Sequence, residues 1–464
     1  MARGPWHEEV DLIVVGASVG GLSAAIIAAD RGCRTIVVER GKELGGGAAN
    51  EAEWIAAAGT RFQQAAGILD APSRLAEDML AATGHAMEPD VAAALAGQGA
   101  PVVAWLADRC GVPVTLAEAN VPAGHSVARL HAPGVRGGAS LVTELARAAT
   151  RHSHVSVRPG TLAERLVRDE SGAVRGVSAR VERRGAAQPL GGRVLIACGG
   201  FAGDDALIAE HCPAVAELPY HGAARASGEA LRLGREAGAE TRRLGSCLVT
   251  PFLATPSQLV VSAPLVHLGA LLVNQAGRRF ADETAAGLAL ATAIRAQPGR
   301  IAYLLFDERI AAAARAMDPF FAHVVLPKTG RRGATLEDLA KQFELHADAL
   351  RATVETFNAG AERGGDAVGR ARFNGPLEPP FHAIRVTGAR WQTLGGLAVD
   401  GSARVLGAGG GPITGLYATG GAAAGPSGEG AEAFLIGTGT LAALGFARLA
   451  ALDIIGQSVP PDAA

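Results

Sequence analysis

An α/β fold built around a Rossmann-like unit is what the sequence predicts, and three observations predict it. The stretch VDLIVVGASVGGLSAAIIAADRGCRTIVVER, starting at Val10, reads as strand, glycine turn, Ala-rich helix, strand and acid, the context a dinucleotide fingerprint requires. Ala and Gly dominate an apolar fraction of 48% while aromatics are 4%, the composition of a helix-rich α/β chain and not of an all-β sandwich. A second glycine turn closes the chain in AEAFLIGTGTLAALGFARLAA. At 464 residues the chain has room for two or three domains of about 150 residues each.

The first unit can be justified residue by residue. Val10 to Val15 form an apolar, β-branched strand. Gly16 permits the tight turn, Ser18 stands where the fingerprint has its middle glycine, and Val19, Gly20 and Gly21 open a helix whose N-H groups suit a pyrophosphate. Glu39, with Arg40 beside it, ends the second strand where a carboxylate accepts hydrogen bonds from an adenosine ribose. Gly45, Gly46 and Gly47 follow, then Gly59 and Thr60, a small-residue path along which a long cofactor runs beneath the backbone. The closing turn, Gly437-Thr438-Gly439-Thr440-Leu441-Ala442, is not a second nucleotide unit. Such a unit needs about 30 residues of βαβ and a downstream acid, and only 22 residues follow Ala442.

Several function classes are excluded. With 43 Lys+Arg against 45 Asp+Glu there is no basic stripe for a phosphate backbone. The five cysteines are odd in number, scattered and never in C-x-x-C, which argues against a disulfide framework or zinc site and for reduced thiols in cytoplasm. No apolar run reaches the roughly 18 residues of a membrane span. The start, MARGPWHEEV, carries acid before the first apolar run and has no cleavage pattern. Neither H-E-x-x-H nor G-x-S-x-G occurs, so no metal or serine-nucleophile constellation is expected.

Further landmarks come in a fixed order: VRPGTLAERLVRDESGAVRGVSARV, RVLIACGGFAGDD, ASGEALRLGREAGAE, LLVNQAGRRFADE and WQTLGGLAVDGSARVLGAGGGPITGLYATGGAAAG. In that order they resemble the flavoprotein family of fumarate reductases, succinate dehydrogenase flavoprotein subunits and 3-ketosteroid Δ1-dehydrogenases, and in character the last of these most. The resemblance implies a Rossmann-like FAD-binding domain formed by residues 1–243 and 386–464, interrupted by an α+β cap domain at 244–385. It places Leu162 and Ala163 at the adenine and Cys198, Gly199 and Gly200 on the strand returning to FAD. Gly420 and Gly421 lie in the closing return, and Gly437, Thr438, Thr440 and Leu441 under the flavin. GGGAANEAEW holds no histidine, so the FAD is expected to be non-covalent. With no resident nicotinamide domain, a separate electron donor or acceptor is the implied partner. Within the cap, Thr335 and Gly360 are read as capping two amphipathic helices.

Substrate class is read from what is missing. Fumarate reductases hold two carboxylates with arginines and histidines, and the corresponding places here hold Gly287, Gln392 and Phe434. A mostly apolar, possibly cyclic or steroid-like substrate is therefore expected, with hydrogens exchanged across a C–C bond beside a carbonyl. The Gly439 N-H would polarise the oxygen, while Gln392 and Arg390 would orient the molecule. Tyr220 and His267 are further candidates for the site. The tyrosine of the ketosteroid loop is absent, Leu435 to Gly439 reading LIGTG. Tyr303 and Tyr417 are read as packing residues, and His221, His382 and Glu429 as weaker candidates. Two other readings stay open: an organic-acid oxidoreductase anchored by Arg390 and Arg385, and a flavin-bearing protein that has lost its chemistry.

Overall fold

The computed structural model describes residues 6–456 apart from 182–184, 223–225, 263, 286, 365, 367, 371–372 and 431–432. Its first sheet takes the order 404–406, 412–418, 188–196, 8–15, 35–39 and 155–159. The five strands from 412–418 to 155–159 are all parallel. The hairpin Thr161–Arg168/Val174–Val181 extends it antiparallel from Gln188–Ile196. Central strands of a parallel sheet are covered on both faces, which explains the unbroken run Leu12 to Val15, each at most 4% exposed.

Two helices link the chain ends. Val19–Ala29 is buried on every residue because it packs against both Gly138–Arg151 and the terminal helix Thr438–Ile454. Small residues make that approach possible: a Cβ on Gly20 would stand 2.7 Å from Ala443 O.

A second, antiparallel sheet is organised on one 13-residue strand, Phe381–Thr393. Its first half pairs with Ala302–Asp307, its second with Cys247–Ala254. The strand then reaches the parallel sheet, where Thr393 Oγ1 accepts the Phe201 N-H at 3.1 Å. It crosses position 386, where the sequence reading divides the domains.

The cap helices form as their patterns indicate, with one difference. Thr335 closes a capping box with Asp338 ahead of Leu336–Phe343. The second helix, Ala347–Arg363, runs through Gly360 and stops at Gly364, whose φ of 78° is left-handed. Gly360 continues the buried face of Leu350, Val354 and Phe357, so its missing side chain serves packing and Gly364 provides the cap. The long apolar helical stretch 89–108 breaks at Gly97–Gln98 and buries Val91, Leu95, Val102, Val103 and Leu106 in the core.

Candidate active site

Three glycine turns meet at the carboxyl ends of the parallel strands, where α/β sheets bind ligands. Gly16 has φ 106°, and a Cβ there would lie 2.6 Å from Ala197 O; on Gly21 it would lie 2.1 Å from Gly16 O. Gly200 and Gly421 abut in the same way, with Gly200 N 2.9 Å from a Cβ on Gly421. Gly199 (φ 80°) faces open space and Gly420 (φ 60°) meets only the Ala443 Cβ, at 3.7 Å. Gly45 N donates to Ala17 O at 2.7 Å, laying the loop of Gly46 and Gly47 beside the first turn. The Gly46 position opens on space, with only the Ser18 Cβ within 4 Å.

Glu39 ends its strand with a carboxylate that accepts from Ala17 N at 2.9 Å and Gly41 N at 2.5 Å. Two N-H groups leave acceptor capacity on a carboxylate, so the residue fits a ribose diol. Gly160 N donates to Gly41 O at 2.9 Å, which brings Leu162 and Ala163 close to the same strand end. Gly437, with φ 82°, starts the terminal helix without a side-chain cap. First-turn N-H groups of a helix lack intrahelical acceptors, and here they belong to Thr438, Gly439 and Thr440. A glycine cradle that a Cβ would fill, an acid at the ribose position and two helix N-termini suit one FAD gripped from both ends of the chain.

Some sequence expectations are corrected. Ser18 is the N-cap of the first helix, its Oγ accepting Gly21 N at 3.2 Å, so the position of the fingerprint's middle glycine is used to start the helix. Thr60 is 2% exposed, and its hydroxyl is used in a capping box with Gln63 and at 2.9 Å from His131 Nε2. It braces the fold and offers nothing to a cofactor. Arg40 reaches Glu229 at 3.5 Å and Ser227 at 3.2 Å. Cys198 is buried enough to push its thiol up to about 12, which makes it an inert cradle residue.

Arg390 is the largest correction. Its guanidinium donates to the carbonyls of Ala202, Ala216 and Leu218 at 2.9–3.0 Å and to Asp205, and it is 4% exposed. A side chain with four of its five N-H donors committed in this way clamps the loop 202–218 to the long strand and is not placed to orient a substrate. Arg390→Leu is expected to lower stability by about 3 kcal/mol, since each stranded carbonyl costs about 1–3 kcal/mol before relaxation. KM should stay unchanged in whatever fraction folds, as read by urea midpoints beside steady-state kinetics; a raised KM at unchanged stability would restore the anchor role. His267 is exposed, and its carbonyl accepts from Asn374 Nδ2 at 2.5 Å.

Gln392 and Gly439 do come together. Gln392 Nε2 lies 3.8 Å from where a Cβ on Gly439 would stand, and the amide is exposed. Tyr220 forms a bridge with Arg390 in the sheet register, and its phenol is raised by burial first and then by the charge of Glu51. Tyr303 packs edge-on to Phe343 and Tyr417 bonds Asp453 at 2.8 Å, both as packing residues. His221 is buried, with its N-H on Arg390 O at 2.9 Å. His382 bonds Glu308 at 2.8 Å. Glu429 is exposed.

Sequence reading missed two residues here, Glu51 and Glu53. Trp391 Nε1 donates to Glu51 Oε1, and Thr440 Oγ1 donates to Glu53 Oε2 at 2.8 Å. Burial holds both carboxyls above the usual carboxylate range, and the charge of Glu53 helps to hold Glu51 well above it. The signal was present as two acids in an otherwise small and apolar cofactor loop.

The fold and cradle define an FAD-binding α/β protein. The chain belongs to the family described as FAD binding domain, which matches residues 11–432. It is similar to a fumarate reductase (cytochrome) of Shewanella frigidimarina, 29% identical over 407 residues, covering 87% of this chain and 70% of that protein. It is also similar to a 4-oxocyclohexanecarboxylate 2-dehydrogenase of Sinomonas cyclohexanicum, 29% identical and covering 97% and 94%. Among solved structures, the open conformation of a flavocytochrome c3 fumarate reductase superposes with a TM-score of 0.83 at 26% identity, covering 98% of this chain and 79% of that one. The protein is an FAD-dependent oxidoreductase acting on CH–CH groups, which sets aside the reading of a flavoprotein without chemistry. The ketosteroid character expected from the sequence is not what these relatives favour, since fumarate reductases match as well or better.

Proposed function

We propose that the enzyme exchanges two hydrogens across the C–C bond next to a carbonyl of a small organic molecule with an apolar, cyclic or open-chain body and at most one carboxylate. FAD would be held without a covalent bond, with Gly16 to Gly21 receiving the pyrophosphate, Glu39 the ribose and the start of the terminal helix, Gly437 to Leu441, the flavin end. Bound FAD supplies the two-electron exchange as a hydride. The Gly439 N-H and the Gln392 amide hold the carbonyl oxygen and stabilise the negative charge that gathers there.

The observation that carries this reading is the charge at the site. Two carboxyls and a phenol stand near Gly439 and Gln392, and His125, 3.0 Å from Ile436 O at the start of the terminal helix, is kept neutral by burial, which lowers its pKa to about 4. Arg390 is consumed, and Arg385 lies seven residues from Gln392 on one strand, about 23 Å at 3.3 Å per residue. A dicarboxylate placed there would meet acids where it needs cations. The keto acid named for the Sinomonas relative supports this class, with one carboxylate and one ring ketone. Reduction of a dicarboxylate is the second reading, favoured by the fumarate reductase names.

Anaerobic absorbance separates the two. Reduced enzyme should be reoxidised by cyclic enones and mono-enoic acids at least about 10-fold faster than by fumarate, because each missing charge-assisted contact is worth about 1.5–3 kcal/mol. Fast reoxidation by fumarate with no response to enones would reject the proposal.

A further inference from the structure

Glu51 and Glu53 sit on the loop after the second strand, Glu51 buried and Glu53 half-buried. Both are tied to sequence neighbours of the groups that hold the carbonyl oxygen: Trp391 precedes Gln392, and Thr440 follows Gly439. The two acids are two residues apart on one loop, and the charge of Glu53 adds to burial in holding the Glu51 carboxyl well above the usual carboxylate range, so the pair favours keeping one proton. Glu53 is held at φ 51°, a conformation costing a non-glycine residue about 1–2 kcal/mol, and such strain concentrates at functional positions. The pair thus lies within the FAD site defined above.

We propose that Glu51 and Glu53 act as one proton donor and acceptor for the substrate carbon next to the carbonyl, an assignment that rests on the function proposed above. In the saturating direction the β carbon gains the hydride that bound FAD would supply, and the α carbon gains the proton that the pair holds. The pair is left with two negative charges, and water returns one proton. In desaturation the doubly ionised pair takes the α proton, the C–H electrons form the C=C bond, and the β hydride is lost to the two-electron exchange that bound FAD would supply. Trp391 and Thr440 are positioning residues: each donates to a carboxylate oxygen, favours the ionised form and so keeps the proton transferable. The ionisable groups facing the pair are the two carboxyls themselves and Tyr220, whose phenol stays neutral.

FAD-loaded protein without substrate gives the first readout, by infrared difference spectra of the carboxyl C=O band against pH. Wild type should show a protonated band persisting to near-neutral pH, and Glu51→Gln and Glu53→Gln should each lose it. Trp391→Phe removes a donor to the ionised form and should move the midpoint up by about one pH unit. With a reactive substrate, Glu53→Gln should lower kcat about 10²–10⁴-fold, the range of general acid–base catalysis, with FAD content and KM nearly unchanged. Absence of the band in wild type, or wild-type turnover in both Gln variants, overturns the proposal. If no ketone or acid reacts at all, the functional reading fails while the infrared result still decides the pair. If Gln variants do not fold, the Trp391→Phe shift decides it.

Discussion

Gly20→Val is expected to give a protein that purifies colourless and melts well below wild type. The new Cβ would lie 2.7 Å from Ala443 O and 3.0–3.1 Å from the Thr419 side chain. Thr419 is itself fixed by a hydrogen bond from Oγ1 to Ala443 O at 2.7 Å. The neighbours cannot swing away, so the first and terminal helices must separate. Overpacking of this kind costs about 1–3 kcal/mol or more, against a total stability of about 5–15 kcal/mol. The separation also parts the two helix N-termini that clasp FAD, so cofactor is lost before the fold. The flavin-to-protein absorbance ratio and the melting temperature are the readouts, with Gly409→Ala as control. No atom lies within 4 Å of a Cβ at Gly409, and a surface change there should stay within about 0.5 kcal/mol. A yellow Gly20→Val protein with wild-type melting would disprove the two-ended clasp.

The legible parts of the molecule are those where backbone geometry dictates residue type. Gly16, Gly21 and Glu39 were readable because no other residues satisfy a left-handed turn, a 2.1 Å contact and a strand-end acceptor together. The closing glycine turn was readable as part of the same site because it follows the closing return of the sheet, and its helix packs on the helix of the first turn. Side-chain commitments were not legible. Arg390 in a site strand reads as a substrate anchor, and only the three carbonyls and Asp205 around it reveal a clamp. Thr60 follows a loop glycine like a cofactor contact, yet its hydroxyl is spent on Gln63 and His131. Glu51 and Glu53 went unread for the opposite reason: their meaning depends on Trp391 and Thr440, which are 340 and 387 positions away. Hydrogen bonds between distant segments leave no local pattern.

Arg129→Met is expected to cost about 3–5 kcal/mol, the range for breaking a buried pair by removing one partner. Arg129 is wholly buried and reaches Asp70 at 3.1 Å and Asp78 at 2.7 Å, with the Asp70 side chain also wholly buried. Gln63 Nε2 supports Asp70 at 2.9 Å, and Ser126 donates to Asp78 from both N and Oγ at 2.8–2.9 Å. Without the guanidinium, Asp70 is left as a charge in the core, supported by little besides an amide. The damage should extend to the site, because Arg129 O accepts Ala57 N at 3.1 Å and the adjacent Ala56 N donates to Gly437 O at 3.1 Å. FAD affinity is therefore expected to fall together with stability. The double variant Arg129→Met, Asp70→Asn removes the stranded charge as well, and should recover about half of the loss because residues in direct contact do not add. Urea midpoints of the two single variants and the double, each saturated with FAD, complete the cycle. If the double variant is as unstable as the sum of the singles, the two residues do not act as a pair, and the stability of this segment comes from its apolar packing instead.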